Sequence, residues 1–114
     1  MKSVNTLKLK DNEIKAIKEL KKTMLNLYPD AEIILFGSKA RGDYSKDSDI
    51  DILILLDRPV NSRLREKIIG CVYDIELKYD LIFGLLVENR NLWHTSKYQV
   101  IPIVYNINRE GIAL

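Results

Sequence analysis

From Ile50 to Leu56 the chain is apolar at every position but one, Asp51. A run of that length with no polar face belongs to a strand covered on both sides, central in its sheet. The other segments arrange themselves around it. Ile14, Ile17, Leu20, Met24, Leu27 and Tyr28 fall at helical spacing, with Asp11 or Asn12 placed to cap the start and Pro29 to end the helix. Residues 31–36 read as a short strand closing on Gly37, and residues 38–48 are polar with room for one short helical turn. Beyond Pro59 and Asn61-Ser62, the positions Leu64, Ile68, Cys71, Val72 and Ile75 mark an amphipathic helix. Asp80 to Val87 reads as a third strand, Asn89 as the cap of a short helix through Trp93, and Ile101 to Glu110 as a segment ending in a helical turn broken at Gly111. A helix between the second and third strands implies a parallel pair with a right-handed crossover, and the short link between the first two allows an antiparallel pair. The expected fold is α/β (α+β), in the order α-β-α-β-α-β-α, with a small mixed three-stranded sheet and helices packed on it.

With 114 residues, 46% of them apolar and 30% charged, the chain has the size and composition of one globular domain over residues 1–114. The longest apolar run, Leu81 to Val87, is far short of the roughly 20 residues that span a bilayer. Met1-Lys2-Ser3-Val4-Asn5 lacks the apolar stretch of a secretory signal, and Cys71 stands alone, so a reducing, cytoplasmic setting is expected. The net charge of +2 is too weak for a dedicated nucleic-acid binder. Within it, residues 1–29 hold seven lysines against Asp11, Glu13 and Glu19, which reads as a solvated helix face.

The chemistry is concentrated in Leu35-Phe36-Gly37-Ser38-Lys39-Ala40-Arg41-Gly42 and, after a polar stretch, Ser48-Asp49-Ile50-Asp51-Ile52-Leu53-Ile54. Asp49 and Asp51 lie two apart at the mouth of a strand, so both carboxylates project from one face with Cα atoms about 6.5–7 Å apart. Carboxylates that close repel one another, and a divalent cation offsets the cost; all-oxygen ligands suit magnesium or manganese. Gly37 allows close backbone approach to a ligand, amides at a following helical start can hold phosphate oxygens, and the Ser38 hydroxyl adds a donor. If the first two strands are antiparallel, the phosphate cradle and the acidic pair meet at one edge of the sheet. Gly-Ser alone and Asp-x-Asp alone are common; Gly-Ser, ten residues, Asp-x-Asp between two apolar strands is a specific combination.

On these residues, 35–56, the chain resembles the minimal nucleotidyltransferases of the DNA polymerase β-like superfamily, small domains often paired with HEPN proteins in toxin–antitoxin systems. The resemblance implies that fold and a magnesium-dependent transfer of a nucleoside monophosphate, AMP from ATP by family preference, to a hydroxyl. In that family a third carboxylate on a later strand completes the metal site. Asp80, at the expected start of the third strand, is the choice here; Asp57 and Glu88 sit at the far strand ends, and Asp74 and Glu76 precede the strand. The alternative for Asp80 is a strand-start carboxylate facing solvent. The implied site has Asp49, Asp51 and Asp80 on two magnesium ions, Asp80 as candidate base, and Gly37, Ser38 and Ser48 on the β- and γ-phosphates. Arg41 either neutralises the leaving pyrophosphate or pairs with Asp43 or Asp47, and Lys39 reads as solvated.

Other residues read as structural. His94 has no Cys or His partner for zinc, Cys71 sits on an apolar helix face, Trp93, Tyr98 and Tyr105 fill a core, and Gly84 marks a bulge or close packing. About 27 residues follow the third strand, too few for the acceptor-binding domain of larger superfamily members, so a partner chain, a homo-oligomer or an open surface must hold the acceptor. Three functions are left open: adenylylation of a protein partner, by resemblance a HEPN toxin; neutralisation of that partner by binding alone; and transfer to a small molecule or RNA end, which the modest basicity disfavours.

Overall fold

A computed structural model describes residues 9–42 and 49–114. Its elements are α1 (Asp11–Leu27), β1 (Glu32–Phe36), α2 (Gly37–Arg41), β2 (Ile50–Leu56), α3 (Ser62–Tyr79), β3 (Phe83–Asn89), α4 (Arg90–Trp93), α5 (Ser96–Gln99), α6 (Pro102–Glu110) and β4 (Ile112–Ala113). The strands form one mixed sheet in the order β3-β2-β1-β4, four strands where the sequence pattern predicts three. β1 is antiparallel to β2 and to β4, and β2 is parallel to β3. The fourth strand pairs through only Ile112 and Ala113, too short to show a period.

Alternate residues of β2 enter different cores, which is why nearly all of them are apolar. Ile50, Ile52, Ile54 and Leu56 pack with Ile17, Leu20 and Met24 of α1 and with Ile68, Val72 and Ile75 of α3. Leu53 and Leu55 pack on the opposite face with Trp93, Val104 and Ile107. Each such side chain contributes about 1.5–3 kcal/mol by leaving water. The period of two puts Asp51 on the second face, at its rim. No helix among the described residues is long and apolar enough to cross a membrane.

The helix ends show how the chain is steered. The Leu64 amide donates to Asn61 Oδ1 at 2.9 Å, capping α3, and the Leu92 amide donates to Asn89 Oδ1 at 3.0 Å, capping α4. Helix α1 starts differently from the expected Asp11 or Asn12 cap. Lys10 holds the cap position, and its amide donates to Glu13 Oε1 at 2.8 Å. The largest departure is at Asp80, which does not begin a strand. It caps the C-terminus of α3 in the left-handed region, φ 54° and ψ 56°, and β3 starts three residues later. Glu76 organises this reversal: its carbonyl accepts the Leu81 amide at 3.2 Å and its Oε2 accepts the Phe83 amide at 2.7 Å. Aspartate tolerates the left-handed conformation better than most residues, so a helix can close on it without glycine.

Candidate functional site

The antiparallel pairing of β1 and β2 brings the end of one beside the start of the other: Phe36 lies opposite Asp51, and Gly37 follows at once. On the other side, the parallel register sets Asp51 level with Gly84 of β3. Asp51 therefore stands between two glycines. A Cβ added to Gly37 would lie 2.2 Å from Asp51 Oδ2, and one added to Gly84 would lie 2.5 Å from Oδ1. Gly37 also has φ +74°, a conformation costly for any residue with a side chain. The carboxylate fills the space that two side chains would otherwise take. Gly84, read from the sequence as bulge or close packing, is a close approach, and its neighbour is the Asp51 carboxylate.

That seat has an electrostatic consequence. Burial and then the Asp49 carboxylate raise the Asp51 carboxyl above the ordinary range, and Arg41 acts in the opposite sense. Asp49, one residue before β2, is exposed. Arg41, at the end of α2, pairs with Glu110 at 3.1 Å and so joins the turn after Gly37 to the end of α6. The alternative partners Asp43 and Asp47, like the candidate phosphate ligand Ser48, lie outside the described residues. Ser38 is half-buried in α2.

Lys39 overturns its expectation of solvation. Its side chain is 1% exposed, and Nζ lies 2.9 Å from Glu13 Oε2. An ammonium and a carboxylate can be buried together where each is the other's partner. This pair ties α2, the element that follows Gly37, to the first turn of α1. Neither Glu13 nor Glu110 was legible as part of this region, since each belongs to a distant helix.

Asp80 does not stand beside Asp49 on a neighbouring strand. Continuing the β2–β3 register one residue, the position level with Asp49 is Ile82, whose carbonyl accepts the Ile50 amide at 3.2 Å. Asp80 and Asp49 both line a cavity of about 480 Å³, together with Lys10, Glu13, Glu76, Tyr73 and Leu77. No three Asp, Glu, His or Cys side chains among the described residues converge closely enough to hold one ion. His94 is exposed, and Trp93 is buried with its indole N–H donating to Asn108 Oδ1 at 3.1 Å. Tyr105, expected in the core, is exposed beneath the Arg109 guanidinium, 5.7 Å from its ring centre.

A relative from Methanocaldococcus jannaschii, named as a candidate protein adenylyltransferase, is 37% identical over 81 residues, spanning 69% of this chain and 82% of its own. The fold is similar to that of a solved candidate nucleotidyltransferase from Sulfolobus solfataricus, with TM-score 0.57 at 23% identity over 90% of this chain and 82% of that one. It is equally similar to a chain of a toxin–antitoxin structure with AMP-PNP, with TM-score 0.57 at 19% identity over 91% of this chain and 72% of that one. Residues 17–104 match the profile of the nucleotidyltransferase domain. Across most of its length, with the Gly37 turn and the Asp51 strand at its centre, the chain belongs to the nucleotidyltransferase domain family and is an enzyme of that transferase type.

Proposed function

We propose that the protein transfers AMP from ATP to a hydroxyl of a protein partner, by the family resemblance a HEPN-type toxin. The observation that carries this reading is the meeting of the Gly37 turn and the Asp51 carboxylate at one rim of the sheet. The donor set there fits a divalent cation: oxygen ligands only, from two acids near enough for one to raise the other's pKa. Asp49 and Asp51 would hold magnesium, with Asp80 reaching in from the helix cap across the shared cavity. Bound magnesium supplies charge neutralisation on the triphosphate.

The chain's own residues would do the rest. The Gly37 amide and the Ser38 hydroxyl donate to phosphate oxygens, with Ser48 as a further donor, and Arg41 faces the charge that develops on pyrophosphate. The acceptor oxygen bonds to the α-phosphorus, the bridging bond to the β-phosphate breaks, and pyrophosphate leaves. Asp80 takes the acceptor's proton. The relative named as an adenylyltransferase and the similar fold crystallised with AMP-PNP support the choice of nucleotide.

A second reading, neutralisation by binding alone, is favoured by one observation. β3 and the residue before it offer Gly84 and Ile82 on this face, and neither is an acid. Transfer of labelled AMP to the partner separates the two. Label on the partner, lost with Asp49→Asn and Asp51→Asn, is expected; full protection of cells by the double variant without transfer would establish the binder.

A further inference from the structure

Helix α3 carries a face that nothing among the described residues covers. Glu66, Ile69, Tyr73 and Leu77 follow one another at steps of three and four, so they form one stripe along the helix, and Asp80 caps the helix beyond its end. Its apolar members are unusually open to solvent: Ile69 is 53% exposed, Tyr73 55% and Leu77 64%, and Ile82, just beyond the helix, is 63% exposed. Single exposed apolar residues are ordinary, but a contiguous run of four large ones marks a contact surface.

The stripe leads to the candidate site. Tyr73, Leu77, Asp80 and Ile82 line the same cavity as Asp49. A side chain approaching Asp49 through that cavity passes over this face. The charge beside it is mostly acidic: Glu66 and Asp80 flank the apolar residues, neither has an ion-pair partner among the described residues, and Lys10 is the one basic residue among those that line the cavity. Glu76 adds a third carboxylate at the cavity wall. Such a surface complements a polypeptide whose apolar side chains are flanked by lysine or arginine.

We infer that this face of α3 is the docking surface for the acceptor polypeptide, which covers Ile69, Tyr73, Leu77 and Ile82 with apolar side chains, pairs lysine or arginine with Glu66, and presents its hydroxyl at the cavity. The inference rests on the nucleotidyl-transfer reading above and names what that reading leaves open, where the acceptor binds.

The test uses the full chain and two synthetic helical peptides. One is amphipathic, built of leucine and lysine with a single tyrosine; the other has glutamate in place of lysine. Fluorescence anisotropy is expected to show binding of the lysine peptide only. Ile69→Glu, on the stripe but outside the cavity, should weaken it about tenfold or more, while calorimetry shows magnesium–ATP binding unchanged. Glu66→Lys, a single exposed change that leaves the apolar stripe in place, should shift preference toward the glutamate peptide. Equal binding of the lysine peptide by the Ile69→Glu variant, or no binding by the parent chain, overturns the inference. So does loss of magnesium–ATP binding in a folded Ile69→Glu variant, which would give this face to the nucleotide. Docking of the lysine peptide that these variants disrupt, without transfer of AMP to its tyrosine, would leave the docking surface standing and remove the transfer reading instead.

Discussion

Gly84 and Asp51 lie level on neighbouring parallel strands, and the space above the glycine is occupied by the aspartate's carboxylate. Glycine inside a strand ordinarily weakens it, so its value here lies in what it admits. Gly84→Ala should leave the fold intact, because the added methyl meets the end of a flexible side chain. It should nevertheless turn the carboxylate away and weaken magnesium-dependent ATP binding about tenfold, a cost of roughly 1.4 kcal/mol. Calorimetry alongside a thermal melt checks both halves. An unchanged affinity would show that the seat of Asp51 does not depend on the glycine.

The raised Asp51 carboxyl makes metal-free stability depend on pH. The folded chain holds this proton more tightly than the unfolded chain does, so stability falls as pH rises from the unfolded carboxyl value, about 3.9, through the higher folded one. Above the folded value the cost is present in full. Asp51→Asn removes it, and its melting temperature in chelator should exceed that of the parent at neutral pH, with the gap closing near pH 4 or below. A variant that melts lower at neutral pH would make Asp51 a structural residue.

For the buried Lys39–Glu13 pair, removing one partner strands the other. Lys39→Met is expected to cost about 3–5 kcal/mol in denaturant unfolding, and adding Glu13→Leu should recover most of it. If the double change is as damaging as the sum of the singles, the two side chains act independently and the pairing has little to do with holding α2 to α1.

Asp80 holds a backbone conformation that glycine adopts freely. Asp80→Gly should therefore stabilise the chain by about 0.5–1 kcal/mol, while Asp80→Asn should leave stability nearly unchanged. Both remove the carboxylate from the cavity that Asp49 shares. Loss of nucleotidyl transfer in both, with stability rising only for glycine, would separate its chemistry from its role in the turn. Normal transfer by either variant would remove Asp80 from the site.

Much of this architecture was legible because β2 leaves few choices. An apolar strand needs neighbours on both sides, and the lengths of its connections set one pair antiparallel and the other parallel. What was illegible depends on distance along the chain. Lys39 stands in a polar segment and reads as solvated, since the acid that allows its burial is 26 residues earlier on another helix. Arg41 has acidic candidates nearby in sequence, Asp43 and Asp47, which lie outside the described residues; the partner it has among the described residues is Glu110, 69 residues away. Asp80 was misplaced for a local reason: the apolar run from Leu81 conceals a chain reversal that Glu76 makes with its own carbonyl and carboxylate. The four-residue helix α5 and the two-residue strand β4 are too short for any period to announce them.

The mixed direction of the sheet orders events in time. One wall of the Asp51 seat, at Gly37, comes from a pairing of segments close in sequence. The other, at Gly84, comes from a strand separated from β2 by the 18 residues of α3, and its docking is expected to come later. Local contacts form sooner than those separated by a crossover, so in a partly folded chain Asp51 has one side in water. The carboxylate loses that water as β3 docks. The final step of folding therefore carries the electrostatic cost of assembling the acidic rim, and a mutation that neutralises Asp51 should quicken that step while leaving the earlier pairing untouched.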